Sequence, residues 1–209
     1  MTNTRKSILI ILLILLADQT VKILVKTHMS LYQQIPVLGD WGILHFVENN
    51  GMAFGLAIPG SFGKIILTTF RIGAVIAIGF YLRHMIKIKA HTGLIITLSM
   101  IMAGALGNII DSVFYGLIFS ESSPVQAATM FPEGGGYSSL FHGKVVDMFY
   151  FPLIRGNYPE WIREGASFIF FRPVFNVSDA SISVAVAIIL FNQKRFFSHV
   201  IPQEQEVIS

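Results

Sequence analysis

The sequence predicts an all-α integral membrane fold: four transmembrane helices with both termini cytoplasmic, joined by a small interfacial, β-containing outer loop. Three observations predict it. Of the 209 residues, 53% are hydrophobic and 13% charged, where soluble domains carry about 25% charged residues; the mean hydropathy is +0.65. Segments at about 7–25, 62–82, 92–116 and 174–191 approach the roughly 20 apolar residues that a bilayer-crossing helix needs. Finally, the basic residues flanking those segments, Arg5 and Lys6, then Arg83, Lys87 and Lys89, then Lys194 and Arg195, all fall on one side of a four-span chain, as cytoplasmic residues do.

The first span opens with Arg5 and Lys6 before the run Ile8–Leu16, which has the look of a cleavable signal peptide. No small-x-small cleavage site follows, and the run resumes after Asp18 as Val21, Ile23, Leu24 and Val25, so an uncleaved span is expected. The first outer loop, about 27–61, contains the alternating stretch Trp41–Glu48, suited to a short strand at the interface. Spans two and three are joined by the short basic link. The second outer loop, about 117–173, carries the Gly- and Pro-rich stretch FPEGGGYSS, a loop signal. Its aromatic residues Tyr150, Phe151, Tyr158, Trp161, Phe168, Phe170 and Phe171 suit the headgroup level. Within it, Leu117–Phe141 lacks spanning or helical periodicity and reads as a mobile cover. Span four completes a single membrane domain, 1–209.

The formal charge of +3 does not indicate nucleic acid, because the basic residues lie beside apolar runs rather than in one polar stripe. With no cysteine there is no disulfide, thiolate metal site or cysteine nucleophile. His28, His45, His84, His91, His142 and His199 are dispersed without H-E-x-x-H spacing, so neither a metal nor a cofactor is expected.

An ionisable side chain near a bilayer centre is penalised by about 2.5–3.5 kcal/mol, so each one inside a span needs a reason. They are Asp18 and Lys22 in span one, Lys64 and Arg71 in span two, Asp111 in span three and Asp179 in span four. Asp111 falls roughly 28 Å along span three, and Asp179 about 8 Å below the outer start of span four, at about 1.5 Å per residue. Both carboxylates are thus expected in the outer layer of the membrane. Each follows an asparagine by three residues, Asn108 and Asn176, on the same helix face. An amide there could fix the carboxylate's rotamer for catalysis, or all four groups could glue two spans together. Gly104 and Gly107 suit close helix packing, and Lys64 and Arg71 could snorkel or pair with a carboxylate. Ser112 and Ser178 raise a serine-nucleophile alternative with Lys22 as the nearby base. A small transporter would favour midplane carboxylates and broken or repeated helices, which are not evident, and a structural scaffold gives no reason for two Asn-x-x-Asp motifs.

Five segments, Asp18-Gln-Thr-Val-Lys22, Glu48-Asn-Asn-Gly-Met-Ala-Phe54, Gly104-Ala-Leu-Gly-Asn-Ile-Ile-Asp111, Val145-Val-Asp147 and Phe175-Asn-Val-Ser-Asp179, resemble in order and location the motifs of the lipoprotein signal peptidases. The resemblance implies a type II signal peptidase, an aspartic endopeptidase of the bacterial cytoplasmic (inner) membrane with its site at the outer, periplasmic face. It implies cleavage of prolipoproteins just before a diacylglyceryl-bearing cysteine, with membrane lipids as surroundings and globomycin as inhibitor. Carried over by motif, Asp111 and Asp179 are the catalytic pair, and Asp18, Lys22, Asn49, Gly51, Phe54, Gly104, Gly107, Asn108, Asp147 and Asn176 bind substrate or support the site. Two departures stand out. Ser112 occupies a position where the family commonly has Arg, and Leu117–Phe141 looks inserted.

Overall fold

The computed structural model describes residues 1–49, 61–157, 161, 167–170 and 173–197. Gly51 and Phe54, and Tyr158 and Phe171 of the aromatic set, lie outside the described residues.

Three helices among the described residues are long and apolar enough to cross a bilayer: α1 (Asn3–His28), α2 (Ser61–Lys87) and α3 (Thr92–Ile110), the last continuing through a π-turn at Asp111–Tyr115 and a short turn to Ile118. Their runs of Leu, Ile and Ala favour the helix, and in a bilayer every backbone amide must be satisfied within it. Leu12, Leu16, Phe70 and Phe80 are exposed, the arrangement of a protein whose solvent is hydrocarbon.

The fourth apolar segment differs from the expected 174–191. Its helix, α4 (Val177–Phe191), has 15 residues, about 22 Å at roughly 1.5 Å per residue, which is short for an unaided crossing. Val174 and Phe175 form a strand instead, because both residues pair with an earlier strand. A short helix α5 (Gln193–Phe197) follows.

The chain divides into two compact units. One comprises Met1–Ala17, Thr69–Ile109 and Val177–Ser209. Its apolar core gathers Leu82, Met85, Leu94, Ile95, Leu98 and Phe196. At Gly104 a Cβ would lie 2.4 Å from the Ser178 carbonyl oxygen and 2.7 Å from Ile182 Cγ1, so α3 and α4 approach as closely as only glycine permits. Ser181 Oγ donates to the Met100 carbonyl at 3.0 Å across the same packing.

The other unit, Asp18–Thr68 and Ile110–Asn176, holds the β structure. Strands β1 (Gln34–Leu38), β2 (Gly42–Asn49), β3 (Val145–Tyr150) and β6 (Val174–Phe175) form an antiparallel sheet in the order β1-β2-β3-β6. Strands β4 (Ile154–Asn157) and β5 (Ser167–Phe170) form a separate antiparallel pair. The strand expected at Trp41–Glu48 is therefore present as β2. Past a register shift between Leu44 and Val47, Glu48 of β2 shares a face with Val146 and Met148 of β3, and Phe46, Val146 and Met148 are fully buried. On that face they meet Val25, Met29, Tyr115, Phe119 and Ala128.

Segment 117–141 is tied into this core rather than lying loosely over it. Phe119 and Ala128 are buried. Ala128 N donates to the Lys26 carbonyl at 3.1 Å, Leu31 N to the Ser123 carbonyl at 2.8 Å, and Tyr137 N to the Phe119 carbonyl at 2.9 Å. Of the aromatic set, Trp161 is exposed, while Phe151 packs against Trp41 and Phe175 with centroids 6.3 and 5.8 Å away.

Candidate active site

Asp111 begins the π-turn, a helix distortion that recurs at functional sites. The distortion releases carbonyls from the helix ladder: Ser112 O accepts from Gly143 N at 2.9 Å and Val113 O from Phe141 N at 3.2 Å. The backbones come so close that a Cβ on Gly143 would lie 2.0 Å from the Asp111 carbonyl oxygen. This docking delivers the chain to β3, whose Val146 N donates to Asp111 Oδ2 at 3.2 Å.

The Asp111 carboxylate is fully buried and saturated on both oxygens. Lys22 Nζ lies 2.8 Å from Oδ2, and Gln19 Nε2 donates to Oδ1 at 3.0 Å. Lys22 is also 2.9 Å from Asp18 Oδ2, one helical turn away on α1, and the side chains of all three ionic partners are 0% exposed. Tyr115 O–H donates to Gln19 Oε1 at 3.1 Å, completing the shell. Asp18 and Lys22 are thus placed together with Asp111, as expected for supporting groups. Gln19 and Tyr115 were not singled out from the sequence, although Gln19 stands inside the first motif.

Asp147 is buried on β3 and is held differently. Asn49 Nδ2 donates to Oδ2, and Asn176 Nδ2 donates to Oδ1 at 2.7 Å. The register places Val47 opposite Asp147 and Asn49 opposite Val145, so Asn49 reaches the carboxylate diagonally on one face of the ladder. Asn176 sits between β6 and α4, fully buried, and also donates to the Val146 carbonyl at 3.3 Å. It precedes its helix, so the expectation that it shares a helix face with Asp179 does not hold.

In the other unit Asn108 Nδ2 donates to Asp179 Oδ1 at 2.8 Å, from α3 to α4. The Asn-x-x-Asp spacing predicted bonds along one helix, and this amide instead reaches another. Asp179 lies in the first turn of α4, where the helix dipole favours a negative charge. Gly104 and Gly107 are buried on the same α3 stretch, and Gly104 is a packing position. Lys64 donates to the His142 carbonyl at 2.9 Å, which answers whether it finds a partner. Ser112 and Ser178 are both buried.

Further groups in the sheet unit escaped the sequence reading: Lys26, Glu48, Ser122 and Lys144 form a second ionic cluster. Lys26 was legible in principle, since Asp18, Lys22 and Lys26 recur every four residues on one helix face. Beside them, burial pushes the Tyr137 hydroxyl's pKa well up, and the hydroxyl accepts a 2.6 Å hydrogen bond from Lys144 N. Burial also pushes the His45 imidazole below its usual value.

The chain is similar to known proteins over most of its length. A family model described as signal peptidase (SPase) II matches residues 10–195. A lipoprotein signal peptidase of Porphyromonas gingivalis is 49% identical over 184 residues, covering 87% of this chain and 79% of that protein. One from Amoebophilus asiaticus is 34% identical over 189 residues, covering 88% and 76%. Among solved structures, a bacterial membrane enzyme aligns over 97% of this chain and 94% of its own, with a TM-score of 0.61 at 24% identity, a likeness of fold.

Proposed function

This chain belongs to the signal peptidase II family, and on that footing we propose that it is an aspartic endopeptidase that cleaves before a diacylglyceryl-modified cysteine. Removal of signal peptides from prolipoproteins follows from the family itself. Four spans, cytoplasmic termini and a site at the periplasmic face of the bacterial inner membrane are our reading. The basic clusters Arg5 and Lys6, Arg83, Lys87 and Lys89, and Lys194 and Arg195 support it. A substrate anchored by its acyl chains would enter sideways from the lipid, and globomycin would occupy the same groove.

Two carboxylates acting on one peptide bond share a proton and titrate as a unit. The ionised member takes a proton from water as it attacks the scissile carbonyl; the protonated member donates to the carbonyl oxygen and then to the leaving amine. Asp179 is one member. For the other, the sequence expectation is Asp111. The hydrogen-bond geometry supports Asp147 as a second reading: Lys22 is ion-paired with Asp111, while two asparagine amides hold Asp147. The Asn49 and Asn176 amides orient the Asp147 carboxylate. On this reading Asp111, Lys22 and Asp18 form a buried brace.

The deciding experiment incubates the purified enzyme with lipidated prolipoprotein and follows loss of the signal peptide in Asp111→Asn, Asp147→Asn and Asp179→Asn. Inactive Asp147→Asn and Asp179→Asn beside an active Asp111→Asn supports the second pairing; inactive Asp111→Asn beside an active Asp147→Asn restores the first.

A further inference from the structure

The mechanism makes no use of the second ionic cluster. Lys26, fully buried at the end of α1, pairs with the Glu48 carboxylate and lies 2.8 Å from Ser122 Oγ. Ser122 Oγ donates to Glu48 Oε1 at 2.8 Å. The Lys26 ammonium also stands 5.4 and 5.1 Å from the ring centroids of Phe119 and Tyr137, within cation–π range. Lys144 Nζ approaches Glu48 Oε2 at 3.5 Å and Glu121 Oε1 at 3.6 Å. Phe119, Glu121, Ser122 and Tyr137 all belong to the inserted segment, so the insertion supplies much of the cage around one carboxylate of β2.

Glu48 is adjacent to Asn49, and consecutive strand residues project to opposite faces. Glu48 therefore anchors the last residues of β2 from the insertion side, while Asn49 turns to Asp147 on the other. The ladder continues to the strand's end, with Glu48 opposite Val146 and Asn49 opposite Val145. A fixed Glu48 side chain limits rotation of the strand end about its own axis, and that rotation sets where the Asn49 amide points. A buried ion pair adds little net stability over apolar residues of similar volume, so its contribution here is direction.

We propose that Glu48, clamped by Lys26 and by Ser122 of the insertion, is a positioning residue that aims Asn49 at Asp147, which makes segment 117–141 a working part of the site's support. This inference rests on the reading in which Asp147 exchanges the proton.

The test is a mutant cycle on turnover of lipidated prolipoprotein. Lys26→Met/Glu48→Gln removes both charges, so no buried ion is left alone. Its kcat should fall about tenfold, the scale of a small misplacement of a reacting group, with KM and the thermal midpoint nearly unchanged. Added to Asn49→Ala it should cause no further loss, because both changes act through one amide. Ser122→Ala, a milder change that keeps the ion pair, should show the same pattern at smaller size and covers the case in which the double variant fails to fold. Asp147→Asn is assayed in parallel. Losses that multiply with Asn49→Ala, or an unchanged kcat, beside an inactive Asp147→Asn overturn this inference alone. Full turnover by Asp147→Asn overturns the reading beneath it as well.

Discussion

Asp111 and Asp147 belong to one unit, are both buried, and are bound in opposite ways. Asp111 is gripped by an ammonium, an amide side chain and a backbone N–H. Asp147 is cradled by two asparagine amides. A cation beside a buried carboxylate fixes its charge, and removing one partner of such a pair is costly. Amide donors fix its direction. Burial is thus shared by both carboxylates, and the groups that hold them differ.

The comparison breaks or holds first on the carboxylates themselves. Asp147→Asn and Asp179→Asn are each expected to lower kcat by roughly 10²–10⁴-fold or more, with the double variant hardly worse than either single one because the two act as a unit. Asp111→Asn should instead lower the thermal midpoint while leaving measurable turnover. Next in size is Lys22→Met, which leaves Asp18 and Asp111 facing each other without their cation. Denaturation should show a loss of about 3–5 kcal/mol, the range for breaking a buried pair, and Asp111→Asn added to it should recover part of that loss. A recovery of stability without turnover would argue that Asp111 also carries a proton.

Asn176→Ala sharpens the other side of the comparison by taking away one of the two amides on Asp147. Turnover should drop about tenfold, the worth of a hydrogen bond to a charged group, with a shifted pH–rate profile as the sign that the carboxylate's proton affinity has changed. The smallest effect belongs to Tyr137→Phe. It deletes the acceptor of the Lys144 N–H and should cost about 0.5–1.5 kcal/mol of stability, read by thermal denaturation, with kcat nearly intact.

Composition and apolar run length made the long helices legible, because a bilayer imposes the same demand at every position along a span. Strand β2 was legible from its alternation. Pairings between segments far apart in sequence were less so. Val174 and Phe175 read as the start of a helix, but their pairing with β3 comes from residues some 25 positions earlier. That same misreading put Asn176 inside a helix and hid its bond to Asp147. Segment 117–141 carries the Gly and Pro of a loose loop, yet Phe119 and Ala128 are buried by contacts with α1 and the sheet that no local signal announces. Among the site residues, Asp18, Lys22 and Asp111 are brought together and Asn49, Asp147 and Asn176 likewise, groupings that the motif resemblance did not specify.

The π-turn at Asp111–Tyr115 also acts as a phase shifter in the chain. Each residue of an α-helix advances the side chains by about 100°, so one residue more or fewer in a turn re-aims everything beyond it. Deleting a single residue from this turn would swing Tyr115 away from Gln19 and withdraw the carbonyls on which Gly143 and Phe141 dock. The strand bearing Asp147 takes its bearing from that docking. Length changes are therefore not tolerable in these five residues, where the molecule keeps its count.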